Sequence, residues 1–277
     1  MNSLTRSPAY LDKVNLYDTA YGNYAADVYR QVRLETYGQD FGQTSWVTTE
    51  ESLGIPTMLD LGPDSHVLEL GCGSGGYALQ LIKTVGCSVL GLDINAAGVQ
   101  NATQLAAESN LSAQAHFDQC DISSKLSFDD NTFGAAFSND VLCHIPGRLN
   151  VLREILRVLK PGGRLLFSDA LVIGGMISHE EIAARTSIGY YVFSPPGENE
   201  RLIKAAGFEL LRVNDTTQSA TAIAGKWHQA REKRKPALAK LEGERNFEGL
   251  QRFLSCVHTL TAERRLLRYL YVAEKPI

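Results

Sequence analysis

The chain has 277 residues, of which 44% are hydrophobic and 21% charged, and this fits one large globular domain or a core with a modest extra lobe. The formal net charge of −4 argues against nucleic acid or an anionic membrane as the main partner. There is no signal-peptide pattern, no apolar run of membrane length and no CxxC pair among the five cysteines, so we expect a cytoplasmic protein with reduced thiols and no metal site.

The first part of the chain, residues 1–55, is rich in tyrosine and polar side chains and shows no strand-like alternation. Apolar residues such as Val28 and Val32 in the segment 24–36 have a loose helical spacing, which predicts short helices. We therefore expect residues 1–55 to form a helical region outside the main core.

Short apolar strands then alternate with helices. The predicted strands are 66–70, 88–92, 115–120, 133–138 and 164–169, and the helices between them are 77–85, 97–109 and 149–159. The third helix has an apolar stripe at i, i+3, i+4 and i+7, and Lys160-Pro161-Gly162-Gly163 is expected to stop it. This alternation predicts an α/β fold with a doubly wound, mostly parallel sheet.

The pattern loosens after the fifth strand. The remaining predicted elements are a helix at 198–206, a strand at 208–213, a charged helical stretch at 227–256 that is broken near Pro236, and a strand at 267–273. The expected organisation is a core over 56–225, a helical insertion or cap over 226–262, and a last core strand within 263–277.

A glycine-rich turn follows the first predicted strand, in the segment VLELGCGSGG over 67–76. Glycines there let a ligand approach the backbone, and the next helix presents free N–H groups. Dinucleotide folds use similar turns, but the acidic Glu69 directly before the glycines disfavours a pyrophosphate and suits a ligand with positive charge. Asp93, which ends the second strand in VLGLDIN, is placed to accept hydrogen bonds from a ribose diol.

Five segments, in this order, resemble the successive motifs of the class I S-adenosylmethionine-dependent methyltransferases. They are ELGCGSG, GLDIN, QCDIS, FSNDVLCHI and VLKPGGRLLFSD, and they span roughly residues 60–170. The resemblance implies a Rossmann-like sheet of seven strands whose last two strands are antiparallel. It also implies S-adenosyl-L-methionine as the cofactor and S-adenosyl-L-homocysteine as the product.

The resemblance also assigns binding positions. Glu69, Gly71 and Gly73 fall near the methionine part of the cofactor, Asp93 on the ribose, and Ile94 on the residue that packs against adenine. The other expected cofactor-binding residues are Asp121 and Ile122, which fall on the pair that reads the adenine amino group and ring, and Cys72, Asn139, Asp140 and Val141.

The flanking regions are similar to small-molecule methyltransferases of the phosphoethanolamine and glycine–sarcosine type, which have an N-terminal helical lid and an insertion before the last strand. The segment 37–46 resembles their lid segment, although the glycine pair that usually follows the serine is replaced by Trp46-Val47. This implies that Thr44, Ser45 and Trp46 cap the cofactor, and that residues 1–55 form a mobile lid that orders over it.

His144 follows the fourth predicted strand. In the phosphoethanolamine enzymes a histidine here pairs with a lid tyrosine to close the site and to assist proton removal, so the resemblance implies catalytic roles for His144 and Tyr17. Tyr21 and Tyr24 are alternatives to Tyr17. His144 could instead only pack beneath the cofactor, and the sequence leaves both interpretations open.

The acceptor pocket is less well indicated. Tyr190, Tyr191 and Phe193 could line it and bind an amine through cation–π contacts, or they could pack a lid helix. The expected function is methyl transfer to a nitrogen or oxygen of a small metabolite, with no nucleic acid or membrane partner, by a monomer or homodimer. A methyltransferase of a macromolecule and a non-catalytic cofactor-binding protein are the alternatives.

Overall fold

A computed structural model describes residues 13–277, so the first twelve residues of the predicted lid lie outside the described part. Its helices are α1 (Tyr17–Gly22), α2 (Asp27–Tyr37), α3 (Thr49–Leu59), α4 (Gly76–Val85), α5 (Ala96–Glu108), α6 (Arg148–Val158), α7 (His179–Arg185), α8 (Glu198–Ala206), α9 (Thr217–Glu232), α10 (Lys235–Glu242) and α11 (Glu244–Ala262). Its strands are β1 (His66–Leu70), β2 (Ser88–Asp93), β3 (Ala115–Gln119), β4 (Phe133–Ser138), β5 (Leu159–Ile173), β6 (Glu209–Asp215) and β7 (Leu266–Glu274).

The strands form one sheet in the order β3-β2-β1-β4-β5-β7-β6. Strands β1 to β5 are parallel, and β7 runs antiparallel between β5 and β6. The predicted seven-stranded, mostly parallel sheet with an antiparallel β6–β7 pair is therefore confirmed. From β1 the strand order proceeds to one side through β2 and β3, and then to the other side through β4 and β5, so the order reverses between β1 and β4. In such sheets ligands bind in the crevice at the carboxyl ends of the strands on either side of this switch point.

Burial of both faces explains why the central strands are continuous apolar runs. Leu68 and Leu70 of β1 and Leu166 of β5 are fully buried. Helix α6 ends at Val158, as expected ahead of Lys160-Pro161-Gly162-Gly163, but strand β5 begins earlier than predicted, at Leu159 instead of Arg164. Leu159 pairs with Phe133, the register then shifts, and pairing with β4 resumes at Arg164 opposite Ala135.

The helices between β6 and β7 form a second layer with the N-terminal helices. They begin at Thr217, ahead of the predicted boundary at 226, and the expected break lies between α9 and α10, where Pro236 occupies the first turn of α10. Trp227 of α9 and Phe253 of α11 share an apolar cluster with Tyr37 of α2. Within residues 13–277, no helix is both long and apolar enough to cross a bilayer.

A buried carboxylate fixes the N-terminal region onto the sheet. Asp140, just after β4, accepts hydrogen bonds from the Trp46 amide at 2.9 Å, from Arg268 Nε of β7 at 2.8 Å and from the Ser168 hydroxyl of β5 at 2.8 Å. Arg268 also meets Glu51 of α3 at 3.0 Å. The segment 41–46, named the covering segment below, is thereby held over the carboxyl ends of β1 and β4.

Replacing Asp140 with asparagine should lower the free energy of unfolding by about 3 kcal/mol, because it leaves the buried Arg268 with only part of its compensating charge. It should also speed proteolytic cleavage within residues 13–59, because the covering segment opens more often. Asp130→Asn, which removes an exposed partner of Arg157, is the control and should change the free energy by less than about 1 kcal/mol. Equal effects of the two changes in urea denaturation would contradict this account.

Candidate functional site

A cavity of about 800 Å³ lies at the carboxyl ends of β1, β2 and β4. Its walls come from the glycine loop after β1, the ends of β2 and β3, the residues after β4, the covering segment 41–46 and the segment 185–191. A volume in the range of about 300–1,000 Å³ is typical of sites for small molecules and cofactors. The cavity therefore occupies the position that the reversal of strand order predicts.

The glycine loop has its shape because the N-terminal region packs directly on it. Gly73 has a left-handed φ of 51°, and a methyl group there would lie 2.8 Å from the Tyr21 hydroxyl. A methyl group at Gly76, the first residue of α4, would lie 1.8 Å from the Phe41 carbonyl oxygen. A side chain at Gly76 would therefore force the Phe41 backbone to move, and one at Gly73 would displace the Tyr21 hydroxyl.

The end of β2 carries a carboxylate on the cavity wall. Asp93 Oδ2 accepts the Gly73 amide at 2.7 Å and Oδ1 accepts the Asn95 amide at 2.8 Å. Burial raises the pKa of Asp93, and the amide hydrogen bonds oppose that shift. The carboxylate therefore shapes the glycine loop and still has lone pairs for a ligand hydroxyl. Ile94 beside it lines the cavity with a side chain that is 67% exposed.

The end of β3 supplies a second pair of residues. Asp121 and Ile122 both line the cavity. Hydrogen bonds from Ser123 lower the pKa of Asp121, so this exposed carboxylate is ionised at neutral pH. Ile122 is buried and faces the same space as Ile94.

The covering segment lines the cavity with three consecutive residues. The Thr44 hydroxyl is 3.1 Å from the Tyr21 hydroxyl, and the Ser45 hydroxyl is 2.9 Å from the Tyr77 hydroxyl. The Trp46 amide donates to Asp140. Each residue is therefore tied to a different part of the wall.

The remaining expected cofactor residues occupy unequal positions. Gly71, Gly73, Cys72, Asn139, Asp140 and Val141 line the cavity. The Asn139 Nδ2 group has no hydrogen-bond partner among the described residues, so it is free to donate to a ligand. The carboxylate of Asp140 is already engaged by Arg268 and Trp46, and burial raises the pKa of the Cys72 thiol well above its ordinary value, so neither is a reactive group here.

Glu69 does not reach the cavity wall. Its side chain is buried behind the glycine loop, where it is 1% exposed. Burial, with the nearby Asp93, raises its pKa well above the ordinary value, and Oε2 has no hydrogen-bond partner among the described residues. Glu69 is therefore not among the residues that line the cavity, and its expected place near the methionine part of the cofactor stays a prediction.

His144 and Tyr17 both line the cavity and are in hydrogen-bond contact with each other. The His144 Nδ1 atom is 3.0 Å from the Tyr190 carbonyl oxygen, which can only accept, so Nδ1 carries the proton. The Nε2 atom, 3.0 Å from the Tyr17 hydroxyl, then has its lone pair available and accepts that O–H. Burial lowers the pKa of His144 to about 4, and burial raises the pKa of Tyr17 well above its ordinary value. At neutral pH the pair is a neutral imidazole and a protonated phenol.

The three aromatic residues proposed for the acceptor pocket lie in three different surroundings. Tyr191 lines the cavity, and its ring lies 4.3 Å from the His144 ring. Tyr190 is 60% exposed and contributes only its backbone carbonyl, while Phe193 packs against the apolar cluster around Trp227 and does not line the cavity. The irregular backbone of this loop turns consecutive side chains to different surroundings, which residue type alone does not reveal.

Sequence reasoning missed Arg185, the last residue of α7. Its side chain is 1% exposed, lines the cavity and lies over the Tyr191 ring at 4.3 Å. It also missed Tyr77, which lines the cavity and is bonded to Ser45. Tyr21, which the sequence offered as an alternative to Tyr17, lines the cavity as well. A single arginine on a short charged helix gives no sequence signal, because such a residue usually faces solvent.

Comparison with known proteins agrees with this geometry. A family model described as a methyltransferase domain matches residues 61–188. Among curated proteins, sterol 24-C-methyltransferase ERG6B from Gibberella zeae is 32% identical over 218 residues, which is 73% of this chain and 56% of that protein. The chain spans about half the length of the curated relatives that it matches.

Solved structures share the fold. Phosphoethanolamine N-methyltransferase 2 of Haemonchus contortus, in complex with phosphomonomethylethanolamine and S-adenosylhomocysteine, superposes with a TM-score of 0.78 at 21% identity, over 94% of this chain and 60% of that one. The [4+2]-cyclase SpnF superposes with a TM-score of 0.71 at 20% identity, over 96% and 100% of the two chains. At this identity the likeness concerns the fold alone.

The lowered pKa of His144 predicts a pH-dependent stability. The unfolded chain binds a proton near pH 6.5 and the native chain only near pH 4, so this contribution is complete above pH 6.5 and is lost as the pH falls toward 4. Between pH 7.5 and pH 5.0 the wild-type chain should lose about 1–2 kcal/mol more than His144→Asn in urea denaturation. His66, whose pKa burial also lowers, is present in both proteins and cancels. Identical losses in the two proteins would show that His144 is not held neutral by the fold.

Proposed function

We propose that the chain, whose residues 61–188 match a family model described as a methyltransferase domain, transfers a methyl group from S-adenosylmethionine to a nitrogen or oxygen of a small molecule. The observation that carries the proposal is the Tyr17–His144 pair on the cavity wall, next to a glycine loop and a strand-end carboxylate. A proton acceptor is needed when the nucleophile is an N–H or O–H group that must lose its proton.

The residues of the cavity fit the cofactor. The Asp93 carboxylate would accept the ribose hydroxyls, and Ile94 and Ile122 would contact the two faces of the adenine ring, next to Asp121. The unpartnered Asn139 Nδ2 and the segment 44–46 would bind the methionine end. When bound, S-adenosylmethionine supplies a methyl group that its positive sulfonium has already activated for displacement.

The chain then has three tasks: to orient the acceptor, to exclude water and to hold a proton. Alignment of two reacting groups can supply much of the rate acceleration. The N–H or O–H group of the acceptor would transfer its proton to the Tyr17 oxygen while the Tyr17 hydroxyl proton moves to His144 Nε2. His144 becomes an imidazolium whose Nδ1–H remains bound to the Tyr190 carbonyl. The hydrogen-bonded pair provides this route without rearrangement.

We infer that the N-terminal segment acts as a lid. Phe41 and Tyr21 pack directly on the glycine loop, so an opening movement of this segment would expose the loop to an entering cofactor. Bound S-adenosylhomocysteine should then slow the cleavage within residues 13–59 that the Asp140→Asn variant accelerates. Cleavage at the same rate with and without this ligand would remove the lid role.

The assignment of Asp93 can be tested by calorimetry. Asp93→Ala should weaken S-adenosylmethionine binding by more than about tenfold, because it removes charged hydrogen-bond acceptors worth roughly 1.5–3 kcal/mol. Asp129→Ala, which changes an exposed acid remote from the cavity, should leave the affinity unchanged. Unchanged affinity in a folded Asp93→Ala protein would show that Asp93 does not bind the ribose.

The proton-transfer role of His144 can be tested once an acceptor is found with labelled S-adenosylmethionine and a panel of amines, hydroxyl compounds and thiols. His144→Asn should lower kcat by about 10²–10⁴-fold while S-adenosylmethionine affinity stays close to that of the wild type. Tyr17→Phe should lower kcat in the same direction, because the relay loses its first acceptor. If His144 only packs beneath the cofactor, the variant will instead bind the cofactor weakly and turn over normally at saturation.

A further inference from the structure

Among residues 13–277, every buried arginine but one has a carboxylate partner. Within residues 13–277, five arginines are buried, and four of them form ion pairs with an aspartate or glutamate. These pairs are Arg33–Asp40, Arg148–Asp169, Arg231–Glu242 and Arg268 with Asp140 and Glu51. Such pairing is expected, because an unpaired buried charge is strongly destabilising.

Arg185 has no such partner. Arg185 forms no ion pair with a carboxylate among residues 13–277. Its Nε and Nη1 atoms are buried and have no hydrogen-bond partner among those residues. The guanidinium instead lies among aromatic rings, 4.3 Å from the centre of Tyr191, 5.1 Å from Phe253 and 6.0 Å from Trp46. An arginine stays protonated in proteins, so this part of the molecule holds an uncompensated positive charge.

This charge lies at the reacting end of the cavity. Arg185, Tyr191 and His144 all line it, and the Tyr191 ring contacts both the His144 ring and the guanidinium. The Tyr17 side chain is hydrogen-bonded to the Tyr191 side chain, so it lies beside the same three residues. The unpaired guanidinium is therefore next to the proton-accepting pair.

We propose that Arg185 is a specificity-determining residue that binds an anionic group, a carboxylate or a phosphate, on the methyl acceptor. This deepens the proposed function and rests on it. The bound anion completes the ion pair that the fold leaves open, as the carboxylates do for the other four arginines. Arginine is well suited to both anions, because its planar guanidinium donates several hydrogen bonds in a fixed geometry.

The proposal replaces the expectation that the aromatic residues here attract an amine cation. The face of Tyr191 is already occupied by a guanidinium, so a second cation at that ring would be repelled. An amine acceptor would have to carry its anion toward Arg185 and its nitrogen toward Tyr17 and His144. Selectivity then depends on the anionic group and not on the charge of the reacting nitrogen or oxygen.

The test uses the full chain, with inorganic phosphate and acetate as probes at about 50 mM and chloride at the same ionic strength as the reference. The proposal predicts that either probe raises the Tm of the wild type by about 3–8 °C, since a ligand that binds only the native state stabilises it. A larger effect of phosphate would indicate a phosphorylated acceptor, and a larger effect of acetate a carboxylate. No shift with either anion overturns the proposal.

Two arginine variants separate binding from folding. Arg185→Met should keep or raise the Tm in chloride, because an uncompensated buried charge is removed, and it should abolish the response to both anions. The control Arg231→Met removes a buried arginine that has a partner, so it should lower the Tm in chloride by about 5 °C or more and keep the anion response. If Arg185→Met keeps the anion response, or if it lowers the Tm as Arg231→Met does, the arginine is structural and the proposal is wrong.

Arg185→Lys retains a positive charge and should retain a weaker response, which guards against a variant that fails to fold. Calorimetry with S-adenosylhomocysteine on the same proteins separates a failure of the proposed function from a failure of the anion site at Arg185. Wild type and Arg185→Met should bind it equally well. If neither protein binds it, the proposed function fails, whereas the anion response of the wild type decides separately whether Arg185 binds anions.

Discussion

The geometry of the cavity depends on the buried carboxylate of Asp140. This one group accepts hydrogen bonds from the covering segment at Trp46, from β5 at Ser168 and from β7 at Arg268. In a low-dielectric interior these bonds are strong, and removing any donor or acceptor leaves a costly unpaired group. The bond to the Trp46 amide holds residues 41–46 over the cavity, and within this segment the Thr44 hydroxyl lies 3.1 Å from the Tyr21 hydroxyl.

Burial also sets the chemical states inside the cavity. Desolvation keeps His144 neutral and Tyr17 protonated, so that the imidazole can accept a proton and the phenol can relay it. The guanidinium of Arg185 contributes to the low pKa of His144. An anion bound at Arg185 would offset this contribution and raise the pKa of His144, while burial, the larger cause, would still hold it below its ordinary value. Acceptor binding would in this way strengthen the base that the reaction needs.

The sequence predicted those features that depend on local backbone chemistry. The glycine loop, Asp93 at the end of β2 and the order of strands and helices follow from glycine geometry, strand ends and hydrophobic periodicity, and the predicted sheet is confirmed. The pairing of Tyr17 with His144 was expected only through family resemblance, and the structure places the two side chains 3.0 Å apart. Their catalytic role stays a prediction.

Features that depend on tertiary packing were not predictable. Arg185 resembles a solvated helix residue in the sequence and is buried because α7 packs against α11. Tyr190 and Phe193 have the residue types of an aromatic pocket, but a loop without regular structure turns one outward and the other into the apolar cluster. The start of β5 at Leu159 depends on pairing with Phe133, which no local pattern shows.

The most direct measurement of the central claim is an experimental structure of the full chain crystallised with S-adenosylhomocysteine and inorganic phosphate. The account predicts the ribose at Asp93, the adenine between Ile94 and Ile122, the sulfur directed toward Tyr17 and His144, and phosphate at Arg185. Ligand density elsewhere, or a reversed orientation with the adenine beside His144, would contradict it.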